Sequence, residues 1–429
     1  METKRSKSTD GTVIDVEQDI ISSLPDDVID QILTHLPIRD AVRTSVLSNK
    51  WRYKWTTLPN LVFNRECVSE AFEDSLVIRR KLLTIIDHIL LLHSGPINHF
   101  HLSHIGPISV TTLDKWILYL TRSSIKELEL VIRGVAQPYK LPWCLFSCQS
   151  LQYIALYKCW LNPPSTIKGF RNLKILGLDK VTMTQDAFEN LISGCPVLEV
   201  LRLMSLHGFT QVNIHAPKLK FFHIFGEFEG ISFENTFQLE KVIVDLSKDM
   251  NSESNQSRLQ GFSNSLLNFF IHLPHLRSLM IGRYFIKCLA AGVVPVKLPT
   301  PCINLSYLNL HVRFNNLMEI SVLLCLLRSS PNLQKLELYA GKTTLLEPAS
   351  YSWEDIFSGP TMPLRMRHVR LEGISGTKSQ LDLIKFLLLY SPVLVQMIVN
   401  PVKNVNPELL TELIRFRRAS VQVEVLYNV

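Results

Sequence analysis

The feature that most constrains this 429-residue chain is a spaced apolar triplet that recurs along most of it. Its form is L-x-x-L-x-L, with Ile, Val, Phe or Met as substitutes. It falls at Ile97-Phe100-Leu102, Ile125-Leu128-Leu130, Leu151-Ile154-Leu156, Leu173-Leu176-Leu178, Leu198-Leu201-Leu203 and Leu219-Phe222-Ile224. It continues at Leu239-Val242-Val244, Leu276-Leu279-Ile281, Leu305-Leu308-Leu310 and Leu333-Leu336-Leu338, then more weakly at Met366-Val369-Leu371 and Leu394-Met397-Val399. Copies recur mostly every ~20–30 residues, the period of a stacked solenoid. Three are entered through matching phrases, GCPVLEVLRL, SSPNLQKLELYA and YSPVLVQMIV, in which Pro stands before the strand. The apolar segments ahead of them (AFENLISG, ISVLLCLLRS, LDLIKFLLLY) carry helical character. Helix, turn and strand therefore repeat. Such a unit cannot bury its apolar side alone, so stacking predicts a curved array with parallel strands on the concave side and helices on the convex side. The wide gap between Leu239 and Leu276 holds the polar run SKDMNSESNQSRLQG, expected to be a mobile loop.

Ahead of the repeats, Ile20–Leu58 obeys a different pattern, IISSLPDDVIDQILTHLPIRDAVRTSVLSNKWRYKWTTL. Pro25 suits the first position of a helix, and Asp26 and Asp27 complement the helix dipole in the first turn. Ile29, Ile32, Leu33 and Leu36 form one apolar stripe, and Pro37 ends the helix. A second helix is expected around Arg39–Ser45. Ser48 would N-cap a third, with Trp51 and Trp55 stacked at i, i+4. Some forty residues cannot cover this much apolar surface among themselves, which points to a partner. The expected partner-facing set is Leu24, Pro25, Ile29, Leu33, Leu36, Pro37, Val46, Leu47 and Trp51. Burial of half of them, at roughly 1.5–3 kcal/mol each, would exceed the cost of association. A DNA-reading helix-turn-helix is the competing interpretation, since Lys50, Arg52 and Lys54 are basic. It is disfavoured because Trp51 and Trp55 stand where base-reading polar residues are needed.

LPDDVIDQILTHLP followed by VLSNKWRYKWTTLP resembles the F-box of plant F-box proteins, with Asn49 and Lys54 departing from the usual pattern. That resemblance implies docking onto a Skp1-like adaptor, and through it onto the cullin and RING subunits of an SCF ubiquitin ligase. The C-terminal stretch Pro363–Tyr427 is similar to the FBD segment of plant F-box/LRR proteins through Gly373, Gly376, LIKFLLLYSPVL and the closing RRAS…VEV. Within it Leu381–Leu389 should be helical, and Val421–Leu426 is a β-rich run able to close a sheet edge. Together these features resemble the plant F-box/FBD/LRR-repeat family over nearly the whole chain. The asparagine usual in that family's repeat is mostly missing; Arg133, Cys159 and Val181 stand in its place. The expected fold is α/β: a three-helix F-box, then an irregular leucine-rich-repeat solenoid ending in an FBD segment. The expected boundaries are a disordered leader at 1–18, the F-box at 19–59, a helical linker at 60–96, repeats at 97–362 and FBD at 363–429.

Composition narrows function mainly by exclusion. The chain is 46% hydrophobic with a net charge of +7, but its Lys and Arg are spread along it, so no nucleic-acid footprint is expected. No ~18-residue apolar run or signal-type N-terminus occurs, so neither a membrane span nor secretion is expected, and the compartment should be nucleus, cytoplasm or both. Eight irregularly spaced Cys, with Cys144 and Cys148 only as CxxxC, suggest neither a zinc site nor a disulfide framework. Gly341-Lys342-Thr343 resembles the end of a phosphate loop, but Leu336 stands where its first Gly is required. His99, His101 and His104 place two imidazoles on one side of a strand, with no acidic or Cys ligand near in sequence. No catalytic residue, cofactor or metal is therefore assigned.

The repeat register supplies a sharper expectation. Residues flanking the last two apolar positions should face outward on the concave sheet: Tyr153, Tyr157, Arg202, Met204, Phe221, His223, Phe225, Tyr307, His311, Glu337 and Tyr339. Large aromatics and Arg there suit capture of a target protein. Packing on one another, or beneath the C-terminal segment, is the equally weighted alternative. The expected function is a non-catalytic substrate-recognition adaptor of an SCF ubiquitin ligase. An SCF-independent scaffold and a small-molecule co-receptor stand as alternatives.

Overall fold

A computed structural model describes residues 20–68, 75–165, 169–247, 269–341, 363–402 and 408–427. The expected leader, most of the polar insertion after Leu246, and Lys342-Thr343 lie outside the described residues. The chain divides into two compact units, Met1–His101 and Leu102–Val429.

The first unit contains helices α1 (Ile20–Ser23), α2 (Asp26–Thr34) and α3 (Ile38–Arg43), strand β1 (Asn60–Phe63) and helix α4 (Ser75–Leu92). Pro25 caps α2 rather than opening it, with an extended ψ of 151°, and Asp26 and Asp27 occupy the first turn. The expected third helix on Ser48 does not form. Turns carry the chain to a 3-10 segment at Lys54–Thr57, and the two Trp side chains are instead fixed by tertiary contacts. Trp51 is 3% exposed and donates its indole N–H to the Ile21 carbonyl at 3.1 Å. The linker is integral to this unit. The Ser94 amide donates to the Thr56 carbonyl, the Asn98 and His99 amides donate to the Pro59 carbonyl, and the His93 ring meets the Leu58 carbonyl at 2.9 Å.

The second unit is built on parallel pairing. Its main-sheet strands are β3 (Glu127–Arg133), β5 (Tyr153–Tyr157), β7 (Ile175–Asp179), β8 (Val200–Met204), β10 (Phe221–Gly226), β12 (Lys241–Leu246) and β13 (Ser278–Ile281). They continue as β14 (Tyr307–Val312), β15 (Lys335–Ala340), β16 (His368–Ile374), β17 (Gln396–Pro401) and β18 (Glu424–Tyr427), neighbours in that order. β2 (His99–Ile105) carries the chain into this unit. Every triplet predicted from the sequence is buried, none of its residues more than 4% exposed. The strand pairings align the central positions into one ladder, Leu128, Ile154, Leu176, Leu201, Phe222, Val242, Leu279, Leu308, Leu336, Val369 and Met397. Parallel sheets covered on both faces read as continuous apolar runs. Here buried and half-buried residues alternate, as in Tyr153–Tyr157 and Phe221–Gly226, because the second face is open.

Where the repeat lacks its asparagine, the backbone takes over. Lys158, Lys180 and Ser205 adopt φ of 56°, 52° and 50° immediately after β5, β7 and β8. Each then donates its amide to a carbonyl at the end of the following strand or one residue before it, at Asp179, Met204 and Phe225. The left-handed conformation disfavours side-chain-bearing residues, so these turns persist because the stacked repeats hold them.

The back of the sheet is helical at Gln185–Ser193, Leu317–Ser329 and Lys378–Tyr390, as the apolar segments predicted. Further helices run at Val110–Arg122, Arg283–Ala290 and Glu408–Arg415, while other returns are 3-10 turns and short parallel pairs. These are β4 (Tyr139–Lys140) with β6 (Cys159–Trp160), and β9 (Gln211–His215) with β11 (Gly230–Glu234). The return from β8 to β10, SLHGFTQVNIHAPKLK, has β-branched alternation and a Pro in place of a helical period. The C-terminal segment continues the same sheet. Its last strand is β18, Glu424–Tyr427, three residues later than the expected start, and Val421 is fully exposed.

Candidate functional surfaces

In the first unit the structure separates the expected partner-facing residues into two groups. Ile29, Leu33 and Trp51 are 0%, 1% and 3% exposed, so they form the unit's own core and are not surface contacts. Trp51 is held within the stretch itself, by its bond to the Ile21 carbonyl. Val46 and Leu47 remain open, at 87% and 45%. Pro25 and Pro37 are exposed, and Leu24 and Leu36 half-buried. Ile20, Ile21 and Tyr53 add exposed apolar surface that the pattern did not identify, because none falls on the α2 stripe.

The basic residues of this region are turned inward to α2. Lys50 approaches Asp26 at 3.3 Å and bonds the Leu24 carbonyl, and Lys54 lies 3.4 Å from Asp26 and 3.6 Å from Asp30. Bonds from Lys50 and Lys54 hold the Asp26 carboxyl below its ordinary value. With no third helix and two of its cations spent on α2, the DNA-reading arrangement is not built. His99 and His101 lie half-buried on one side of β2 with rings 6.4 Å apart, whereas His104 is buried on the other side. The three imidazoles do not converge.

In the second unit the register brings the outward-facing candidates into rows. Tyr153, Phe221 and Tyr307 share one row with Lys241 and Lys335. Arg202, His223 and Glu337 share the next with Asn309, and Tyr157, Met204 and Phe225 lie in a third. His311 and Tyr339 are paired beyond them. Part of this surface is internally satisfied. Tyr307 donates to Glu337 at 2.8 Å, Asn309 donates to the same carboxylate at 3.1 Å, and Lys335 pairs with Glu337 at 2.7 Å. The rings of His311 and Tyr339 stack at 4.7 Å. Tyr157 lies between Arg133 and Lys180, 5.7 and 5.3 Å from its centroid.

Charge at this face follows its burial. Burial pushes the Tyr307 hydroxyl up to about 12, and the neighbouring Glu337 adds to it. Burial also tends to raise Glu337, but bonds from Lys335 and Tyr307 outweigh it and hold the carboxyl low. His223 is held below its ordinary value by burial and by Arg202 and Lys241. Burial likewise raises the thiols of Cys159, Cys195 and Cys302 to about 12, which keeps them protonated and unreactive. Sequence reasoning passed over Lys241, Asn309 and Lys335 because it selected large aromatics. Their place in the repeat was legible all the same, since each occupies a flanking position of its triplet.

The architecture defines a class: an N-terminal helical unit followed by a parallel-strand repeat array with one open face. A family model described as "FBD-associated F-box protein At5g56370, LRR repeats" matches residues 113–338, and an F-box domain model matches residues 21–63. The Arabidopsis thaliana F-box/FBD/LRR-repeat protein At1g13570 is 37% identical over 416 residues, covering 95% of this chain and 98% of that protein. The FBD-associated F-box protein At1g66310 of the same plant is 28% identical over 455 residues, covering 96% and 97%. The F-box/FBD/LRR-repeat protein At5g56420, also from Arabidopsis, is 31% identical over 209 residues, covering 47% and 48%. The chain belongs to the F-box/FBD/LRR-repeat family. F-box domains generally bind Skp1, and F-box and LRR proteins generally serve as substrate adaptors of SCF ligases. Among the described residues no helix is long and apolar enough to cross a membrane.

Proposed function

We propose that this chain is a non-catalytic substrate-recognition subunit of an SCF ubiquitin ligase. Its F-box engages a Skp1-like adaptor, and its repeat region holds a target protein near a ubiquitin-charged E2 enzyme. The observation that carries this reading is the open sheet face, where aromatic and cationic side chains stand in register over a fully buried apolar ladder. An array built this way presents side chains without needing them for its own core. Exposed Val46 and Leu47 support the adaptor-binding end. Catalysis in such an assembly comes from tethering, which raises the effective concentration of a target lysine at the thioester.

The test has two arms. The full chain should co-purify with a Skp1-like adaptor and cullin, and Phe221→Ala/Tyr307→Ala should lose target capture while retaining the adaptor. A double variant that melts at a much lower temperature would show that Phe221 and Tyr307 pack the fold. Failure to recruit the adaptor would remove the ligase assignment.

A further inference from the structure

The cations of the open face are not all treated alike. Lys335 is paired with Glu337 at 2.7 Å, and Arg370 lies 3.8 Å from Glu372. The three strands β8, β10 and β12 differ. The Arg202 guanidinium lies 5.2 Å from the Phe221 ring centroid, and the Lys241 ammonium lies 5.5 Å from the same centroid. The His223 ring meets Phe221 edge-on at 6.5 Å, and His223 is the register partner of Arg202. Among the described residues no carboxylate comes within ion-pair distance of Arg202 or Lys241, and both side chains are exposed. Two cations are thus held beside one aromatic ring with no paired carboxylate among the described residues.

Resting on the adaptor reading above, the geometry points to Arg202, Phe221, His223 and Lys241 as the seat for an anionic side chain on the target segment, with Phe221 and Phe225 receiving its apolar neighbours. Charge complementarity selects the occupant. A cation over a ring keeps its charge while its stem is packed, so an incoming carboxylate or phosphoryl group meets donors that are already oriented. The alternative polyanion, a nucleic-acid strand, is poorly matched. Asp179, Asp245 and Glu337 occupy the same face on β7, β12 and β15 and would repel a phosphate backbone running across it. One or two negative charges fit between these acids; a chain of them does not. The neighbouring His223 supplies a reporter. Arg202 and Lys241 add to burial in disfavouring its protonated form, and a bound anion would offset them.

The test uses the full chain in complex with its Skp1-like adaptor. Inorganic phosphate and acetate are titrated separately while the His223 resonance, assigned by its loss in His223→Gln, is followed against pH. The His223 midpoint should rise by about one pH unit at saturation with at least one of the two anions. The rise should vanish in Arg202→Gln/Lys241→Gln. A stronger response to phosphate would indicate a phosphorylated residue, and a stronger response to acetate would indicate Asp or Glu. No saturable rise with either anion, or a rise that survives in the double variant, overturns the assignment. Target capture separates the two ideas. If Phe221→Ala/Tyr307→Ala loses the target while Arg202→Gln/Lys241→Gln retains it, the adaptor reading stands and the anion seat falls.

Discussion

Val46 and Leu47 decide whether the first unit docks through the surface the structure leaves open. Val46→Ala removes two methyl groups from a side chain 87% exposed, and Leu47→Ala shortens one 45% exposed. At about 0.8 kcal/mol for each carbon newly covered by a partner, the first is worth about 1.5 kcal/mol. Leu47, already half-covered, is worth about 1 kcal/mol. Loss of roughly 2.5 kcal/mol corresponds to about sixtyfold weaker binding, an upper figure reached only if the adaptor covers both side chains fully. The assay is titration calorimetry of the double variant against a purified Skp1-like adaptor, with a thermal melt alongside. Folding should be almost unaffected, within about 0.5 kcal/mol, because neither side chain is in the core. Leu33→Ala is the contrast: at 1% exposure it should cost about 2–5 kcal/mol of folding stability and reduce binding only through unfolding. Wild-type affinity in a folded Val46→Ala/Leu47→Ala variant would refute the docking surface. So would a loss of affinity that merely follows a lowered melting temperature.

Glu337 should make the repeat region acid-sensitive. Its folded carboxyl is held below the ordinary value of 4.5, so its contribution is complete above that value and is lost as pH falls through the depressed one. The urea midpoint of wild type should exceed that of Glu337→Gln at pH 7, and the gap should narrow as pH falls below the ordinary carboxylate value; a gap independent of pH would contradict the network. Gly208→Ala should destabilise by about 2–4 kcal/mol, because its φ is +97° and an added Cβ would lie 2.3 Å from the Met183 carbonyl oxygen. An unchanged urea midpoint would show that the turn at Gly208 relaxes freely.

The repeat ladder was legible because its cause is local and periodic. A triplet such as Leu198-Leu201-Leu203 states both the strand and its buried face, and the same rule gives the outward direction of Phe221 and Tyr307. The connecting segments were less legible. Nothing in the triplet indicates whether the return path is a helix, as at Gln185–Ser193, or a strand pair, as at Gln211–His215 and Gly230–Glu234. Only the segment's own periodicity separates those outcomes. In the first unit the burial of three expected contact residues was not legible, for a different reason. Ile29, Leu33 and Trp51 look like docking residues when the unit is taken to end near residue 59. Their cover comes from tertiary contacts that the helical pattern does not state, such as the bond from Trp51 to Ile21.

The asymmetry of the open face also bears on how a family of such adaptors can diversify. Buried positions of the ladder are fixed by packing, where loss of a Leu costs several kcal/mol. Outward positions are free of that constraint, but not equally so. Around Tyr307 they are joined by Glu337, Asn309 and Lys335 into a satisfied network, and removing one member leaves a half-buried polar group without its partner. Around Phe221 the contacts are two cations and one imidazole, and among the described residues no carboxylate is ion-paired to either cation. Specificity can therefore change at β8, β10 and β12 at small cost to folding, whereas β14 and β15 must change several residues together. If so, substitutions at Arg202 or Lys241 should alter target choice with melting temperature intact, and substitutions at Asn309 should lower both.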